Sequence, residues 1–319
     1  MKNLVYPLSY DSREMVYCFD QMENDGDVIF IVNDNMLTDC KKIRSLIEQY
    51  HLNIQTEWNK IIYDIDRIYL LEGADISEYI RLIQKGKELG KTIYATNEVK
   101  KKIAGYEEAA DVLSIGKNTC MGNTGELLDI HVPVIGVFGM GKYCDKFMTE
   151  LYFRKFYLEK GYKVLQFGSK EISEFFGFDS IPQDAFDKRI PLADRVLSFN
   201  YYVSKRVEEE KPDIIIVGIR EGIMPFNNSI LNDFGEDAFV ISHALSIDYS
   251  VMDVYYNEYL EKEFLLYVAK LLKYQFNSEM LALGVSNTYC EFTAESFGKK
   301  AKYYHLDLDE QFTPKYRME

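Results

Sequence analysis

Short runs of β-branched and other apolar residues alternate along this chain with longer stretches of helical periodicity, and no other feature limits the fold as strongly. In the first third, Asn3–Leu8, Asp27–Asn33, Arg67–Glu72 and Thr92–Ala95 are expected as strands. Ser12–Met22, Lys41–Tyr50 and Ser77–Leu89 are expected as the helices between them, with Gly90 ending the last. Parallel neighbours need a long return path, so strands separated by helices predict a mainly parallel sheet. The pattern lapses between Ile115 and Pro133, where Gly116, Asn118, Gly122, Asn123, Thr124 and Gly125 form a loop-rich stretch suited to a linker. It resumes with the apolar run Val132–Phe138, a helix to Lys160, and a strand over Lys163–Phe167. A helix over Leu192–Glu210 leads to Pro212–Val217, the clearest strand of all. Strands over Ala238–Ser242 and Met280–Val285 flank a helix over Asn257–Gln275. The expected fold is therefore α/β, with a Rossmann-like domain over 1–125 followed by a P-loop-NTPase-like, doubly wound α/β domain over 126–319.

Composition narrows the functions open to such a chain. Its 319 residues suffice for two domains, and 47% hydrophobic with 28% charged residues is the balance of a globular protein. Acidic residues outnumber basic ones by 51 to 37, giving a formal charge of −14 that repels phosphate backbones and anionic membranes. Nucleic acid and membrane are thus not expected as partners. No apolar run reaches spanning length and the N-terminus lacks a signal-peptide core, so a cytoplasmic location is expected. The five cysteines are odd in number and scattered, which fits reduced thiols.

The chemistry-bearing residues fall where predicted strands end. Gly139-Met140-Gly141-Lys142-Tyr143-Cys144-Asp145-Lys146 joins a strand to a helix. Inward-facing N–H groups and a helix N-terminus make such a turn a phosphate site. The spacing is one residue longer than the ordinary phosphate loop. Asp145 then takes the second glycine position, Lys146 the lysine, and Phe147 the Ser/Thr position. Lys142 and Lys146 would neutralise phosphate charge. Phe147 has no hydroxyl for Mg²⁺ and Asp145 adds a carboxylate to the phosphate position, so efficient NTP hydrolysis is not expected and no metal ligand is assigned. The same glycines also serve a plain strand-to-helix turn. Arg220 and Glu221 follow the strand ending at Val217, Arg220 as an anion clamp and Glu221 as a candidate catalytic group. His243, placed by this reading at another strand end, is the second candidate base. Asn287, in Gly284-Val285-Ser286-Asn287-Thr288, carries both donor and acceptor for a ligand edge. Gly168–Pro191 is either a cover for the ligand cleft or an ordinary packed loop.

Taken in order, these pieces resemble the P-loop-type domain of the dethiobiotin-synthetase and cobyric-acid-synthase class. Within that class they are most similar to a two-domain family that includes D-amino-acid N-acetyltransferases. The matching stretches are Gly139 with Asp145-Lys146-Phe147, Val217-Gly218-Ile219-Arg220-Glu221, Asp237–His243 and Gly284–Thr288. The family's second-strand acid falls on Gly218. Gly139-Met140-Gly141 with Lys146-Phe147, and the runs Gly161-Tyr162-Lys163-Val164, Gln166-Phe167-Gly168-Ser169 and Glu174–Phe178, resemble divergent proteins encoded with clostridial systems that mature ribosomal peptide natural products. That likeness implies an accessory role toward a precursor peptide or its maturase, with ATP, GTP or coenzyme A as the phosphate-bearing ligand. Two other expectations stand beside it: a CoA- or ATP-dependent N-acyltransferase or ligase acting on an amine, and a scaffold that keeps the fold without a ligand.

Overall fold

The computed structural model describes residues 1–23, 26–32, 41–116, 119–120, 122–225, 235–257, 260–291, 301–306 and 316–317. Asn33, Cys40 and Asn118 lie outside them. The chain forms two compact units: Met1–Lys117 with Glu171–Gly177, and Asn118–Lys170 with Phe178–Glu319.

The first unit holds β1 (Lys2–Leu8), α1 (Glu14–Tyr17), β2 (Asp27–Val32), α2 (Lys41–Gln49), β3 (Asn53–Gln55), β4 (Arg67–Leu70), α3 (Ile76–Glu88), β5 (Thr92–Ala95), α4 (Asn97–Ile103) and β6 (Leu113–Ser114). Its strands run parallel in the order β3-β2-β1-β4-β5-β6, which is the Rossmann order. The expected helix over Ser12–Met22 is instead α1 flanked by single 3₁₀ turns at Tyr10–Ser12 and Phe19–Gln21. Of the long loop after Gly168, Glu171–Gly177 packs in this unit. There Phe175 accepts a hydrogen bond from the Glu23 N–H and sets its ring edge-on to Tyr69.

The second unit holds β7 (Val134–Gly139), α5 (Lys146–Glu159), β8 (Val164–Gly168), β9 (Asp179–Ser180), α6 (Leu192–Glu210), β10 (Ile214–Gly218), α7 (Glu236–Ala244), β11 (Tyr249–Val254), α8 (Lys262–Phe276), β12 (Glu279–Val285), β13 (Thr288–Glu291), β14 (Lys302–His305) and β15 (Tyr316–Arg317). Its main sheet runs β15-β12-β11-β7-β10-β8-β9, parallel except for β15. Alternation along β7 explains why helices cover both faces. Val134 and Phe138 pack with Phe199 of α6, Ile241 of α7 and Leu272 of α8, whereas Ile135 and Val137 pack with Phe153 of α5. The unit is the expected P-loop-like, doubly wound α/β fold, and β7 lies between β10 and β11 where the winding reverses.

Two elements depart from the sequence expectation. Ala238–Ser242 is not a strand but the middle of α7, which starts after Gly235 in the left-handed region (φ 76°) and buries Ala238, Ile241 and Ala244. A short apolar run satisfies either period, and the glycine start with two acids in the first turn decides for helix. The central strand β11 fills the place left open, although Ser250 and Asp253 interrupt its apolar character. The helix expected from Asn257 begins only at Lys262.

Ile216, buried in β10 beneath α5, tests the second core. Ile216→Ala is expected to cost about 2–5 kcal/mol by transfer and cavity terms, read as a shift of the denaturant midpoint. A shift under about 0.5 kcal/mol, the range of surface changes, would mean that α5 does not close over this face.

Candidate functional site

The carboxyl ends of β7, β10 and β11 meet under the first turn of α5, and small residues in the strands let the helix approach. A Cβ on Gly139 would overlap the Cys144 sulfur and the Lys146 stem; one on Gly218 would overlap the Glu150 carboxylate. Between β7 and α5 the chain turns tightly, with Tyr143 (φ 62°) and Asp145 (φ 60°) both in the left-handed region. Such turns direct successive N–H groups to one side. The Cys144 thiol donates to the Gly141 carbonyl at 3.0 Å, and the Tyr255 hydroxyl to the Lys142 carbonyl at 2.6 Å. Cys144, Tyr255 and Cys290 form one buried cluster, and burial pushes the Cys144 thiol up to about 11.

Lys146 is 7% exposed, and its ammonium donates to three backbone carbonyls: Gly141 at 3.1 Å, Arg220 at 2.9 Å and Glu221 at 3.1 Å. The lysine thus ties the glycine turn to the segment following β10. Asp145, expected to oppose a phosphate, instead accepts the Asn287 N–H at 3.0 Å. Gly139, Gly141, Asp145, Lys146, Arg220, Glu221 and Asn287 are brought together in this way. Lys142 is on the same turn and exposed. The Arg220 guanidinium bonds Gln183 at 3.1 Å and lies 4.5 Å over the Phe186 ring. His243 is not at a strand end. It sits in the last turn of α7, exposed, its ring stacked on Phe239 and its Nδ1 2.9 Å from the Phe239 carbonyl. Phe147, in the place of the loop hydroxyl, is buried and faces Phe178.

Three buried groups of this site were not singled out from the sequence. Glu150, fully buried on α5, accepts the Ser169 hydroxyl at 2.5 Å and the Ser169 N–H at 3.0 Å. Burial pushes its carboxyl up to about 7, against the pull of Ser169, Lys146 and Lys170. Asp253, at the end of β11 opposite Gly139, is fully buried. Burial holds its carboxyl well above the usual range; the Thr149 hydroxyl pulls the other way, Asp145 and Glu150 add to the rise, and Lys146 opposes it. The Thr149 hydroxyl is the group within hydrogen-bonding reach of the Asp253 carboxyl, and the pair shows no well-aligned partner beyond itself among the described residues. The signal available beforehand was a carboxylate inside the apolar run Val251-Met252-Asp253-Val254 and an acid one helical turn after Lys146.

Gly218→Ala should destabilise by about 1–3 kcal/mol through overpacking, and adding Glu150→Ala should restore most of the loss; no rescue would mean that the two do not oppose each other. The folded chain keeps the Glu150 proton to about pH 7, whereas an unfolded chain releases it near 4.5. The stabilisation from this group is therefore complete at low pH and lost as pH rises through that window. Glu150→Gln is expected to flatten this slope, so that its melting temperature gains on the wild type toward about pH 8. Identical profiles would show that Glu150 ionises as it does in water.

The chain matches no family model and no curated protein. Among solved structures it is similar to a DUF1611 family protein from Anabaena variabilis ATCC 29413, with a TM-score of 0.59 and 9% identity over 89% of this chain and 87% of that one. That likeness shows a shared fold. Lower overlaps are found with a pseudomurein peptide ligase type C from Methanothermus fervidus (TM-score 0.30, 12% identity, 79% of this chain and 37% of that one) and with chloroplast FtsY from Physcomitrella patens (0.27, 12%, 86% and 90%). Neither score indicates a common fold.

Proposed function

We propose that the second unit binds a phosphate-bearing ligand, a nucleotide or coenzyme A, at the turn between β7 and α5, and does so with little hydrolysis. The observation that carries this is the position of Lys146. A buried ammonium lies at the N-terminus of a long helix, at the carboxyl end of the strand where the winding reverses. The engagement of Asp145 by the Asn287 N–H adds support, because it uses the carboxylate that would otherwise repel the ligand. Lys142 and Arg220 supply further positive charge beside the turn, and a ligand phosphate would compete with three carbonyls for Lys146. Phe147 leaves the loop without its hydroxyl, which favours binding over turnover.

The wider role we attach to this site is accessory to the maturation of a ribosomal precursor peptide, with that peptide or its maturase as partner. It rests on the sequence likeness of Gly139–Gly141 with Lys146-Phe147 and of the Gly161–Val164, Gln166–Ser169 and Glu174–Phe178 runs alone.

The test is a thermal-shift screen of the full chain against ATP, GTP, acetyl-CoA and CoA, each with and without Mg²⁺. A ligand that binds the native state raises the melting temperature by mass action. Lys146→Ala should abolish the shift. Since this change also removes a donor from three carbonyls, the exposed Lys142→Ala is the companion variant. It should weaken binding about tenfold, the equivalent of one charge-assisted hydrogen bond, without altering the melting temperature of the free protein. No shift with any ligand would overturn the phosphate site and leave the scaffold reading.

A further inference from the structure

Arg195 brings a guanidinium into the second unit with more donors than its neighbours use. The residue lies in the first turn of α6 and is 5% exposed. Its Nη2 donates to the Glu236 carboxylate at 2.8 Å. Nε and Nη1 are closed off from solvent and have no hydrogen-bond acceptor among the described residues. An arginine keeps its charge in a protein, so a buried one calls for acceptors around its fork. The one acid bonded to it is shared, because the other oxygen of Glu236 lies 3.0 Å from the Lys188 ammonium. Asp187 is held by the N–H and guanidinium of Arg189, and Asp237 has interactions elsewhere. One carboxylate thus serves two cations, and the buried guanidinium is half compensated.

Glu236 opens α7, so its bond places Arg195 at the N-terminus of that helix. Gly235, before it, has no side chain with which to cap the first N–H groups. Helix N-termini favour anions, and the unmet nitrogens of Arg195 independently ask for the same partner. We propose that Arg195 and the N-terminus of α7 form a binding site for a carboxylate group, separate from the glycine turn. A single negative charge suits the half-compensated guanidinium, whereas a phosphate dianion would be repelled more strongly by Glu236. A Cβ on Gly235 would touch Ile223, whose N–H donates to the Gly139 carbonyl at 3.2 Å, so the site lies toward the carboxyl end of β7. The carboxylate belongs either to a small organic acid or to the C-terminus of a peptide, and its chemistry at Arg195 is the same.

Propionate and the tripeptide Ala-Ala-Ala are the probes, with the tripeptide amide and inorganic phosphate as controls, all added to the full chain. Nitrogen–proton correlation spectra follow the arginine Nε–H signals, and the signal absent from Arg195→Lys identifies Arg195. In the wild-type chain it should move saturably with propionate and Ala-Ala-Ala and stay in place with the amide. Arg195→Met should weaken binding at least tenfold by calorimetry, and Arg195→Lys, which keeps the charge, by less. Circular dichroism reports whether each variant folds. Tripeptide binding at least tenfold tighter than propionate would support the site and assign it to a peptide C-terminus; comparable affinities would support it and assign it to a small acid. An Arg195 signal that no probe moves, wild-type affinity in folded Arg195→Met, or phosphate binding tighter than propionate would each overturn the proposal. No probe carries a nucleotide, so these outcomes leave the reading of the glycine turn untouched.

Discussion

The arrangement at the carboxyl edge of the second sheet depends on the buried ammonium of Lys146. Its bonds to the carbonyls of Gly141, Arg220 and Glu221 join two segments that are far apart in sequence. They also satisfy a charge that burial would otherwise make costly. The Ile223 N–H adds a second tie between the same segments, donating to the Gly139 carbonyl at 3.2 Å. Gly139 makes the tie possible, because a side chain there would occupy the space of the lysine stem.

The same close approach of α5 creates the acidic character of the site. Once the helix lies on Gly218 and Gly139, its inward positions bring Thr149 and Glu150 onto the strand ends, and β11 supplies Asp253 beside them. The Glu150 carboxyl is bonded twice by Ser169, while the Asp253 carboxyl has the Thr149 hydroxyl beside it.

Much of the architecture was legible because it rests on local periodicity. The runs that became β1, β4, β7, β10 and β12 are apolar stretches bounded by turn residues, and the lengths between them left room only for helical crossovers. The period is ambiguous over a few residues, which is why Ala238–Ser242 suggested a strand and proved helical, carrying His243 to an exposed helix turn. β11 was hidden for the opposite reason, its two polar residues masking a strand buried on both faces.

The sequence by itself determined the α/β class, the succession of a Rossmann-like and a P-loop-like unit, and the tight strand-to-helix turn at Gly139–Lys146. These follow from glycine positions and side-chain period, which act over a few residues. Only the tertiary structure decided what the side chains at that turn do. Lys146 turned onto carbonyls, Asp145 onto an N–H 142 positions away, and Thr149, Glu150 and Asp253 converged beneath one helix. Those relations are set by which strands lie side by side and how closely a helix covers them, and pairing across the sheet leaves no local mark on the chain.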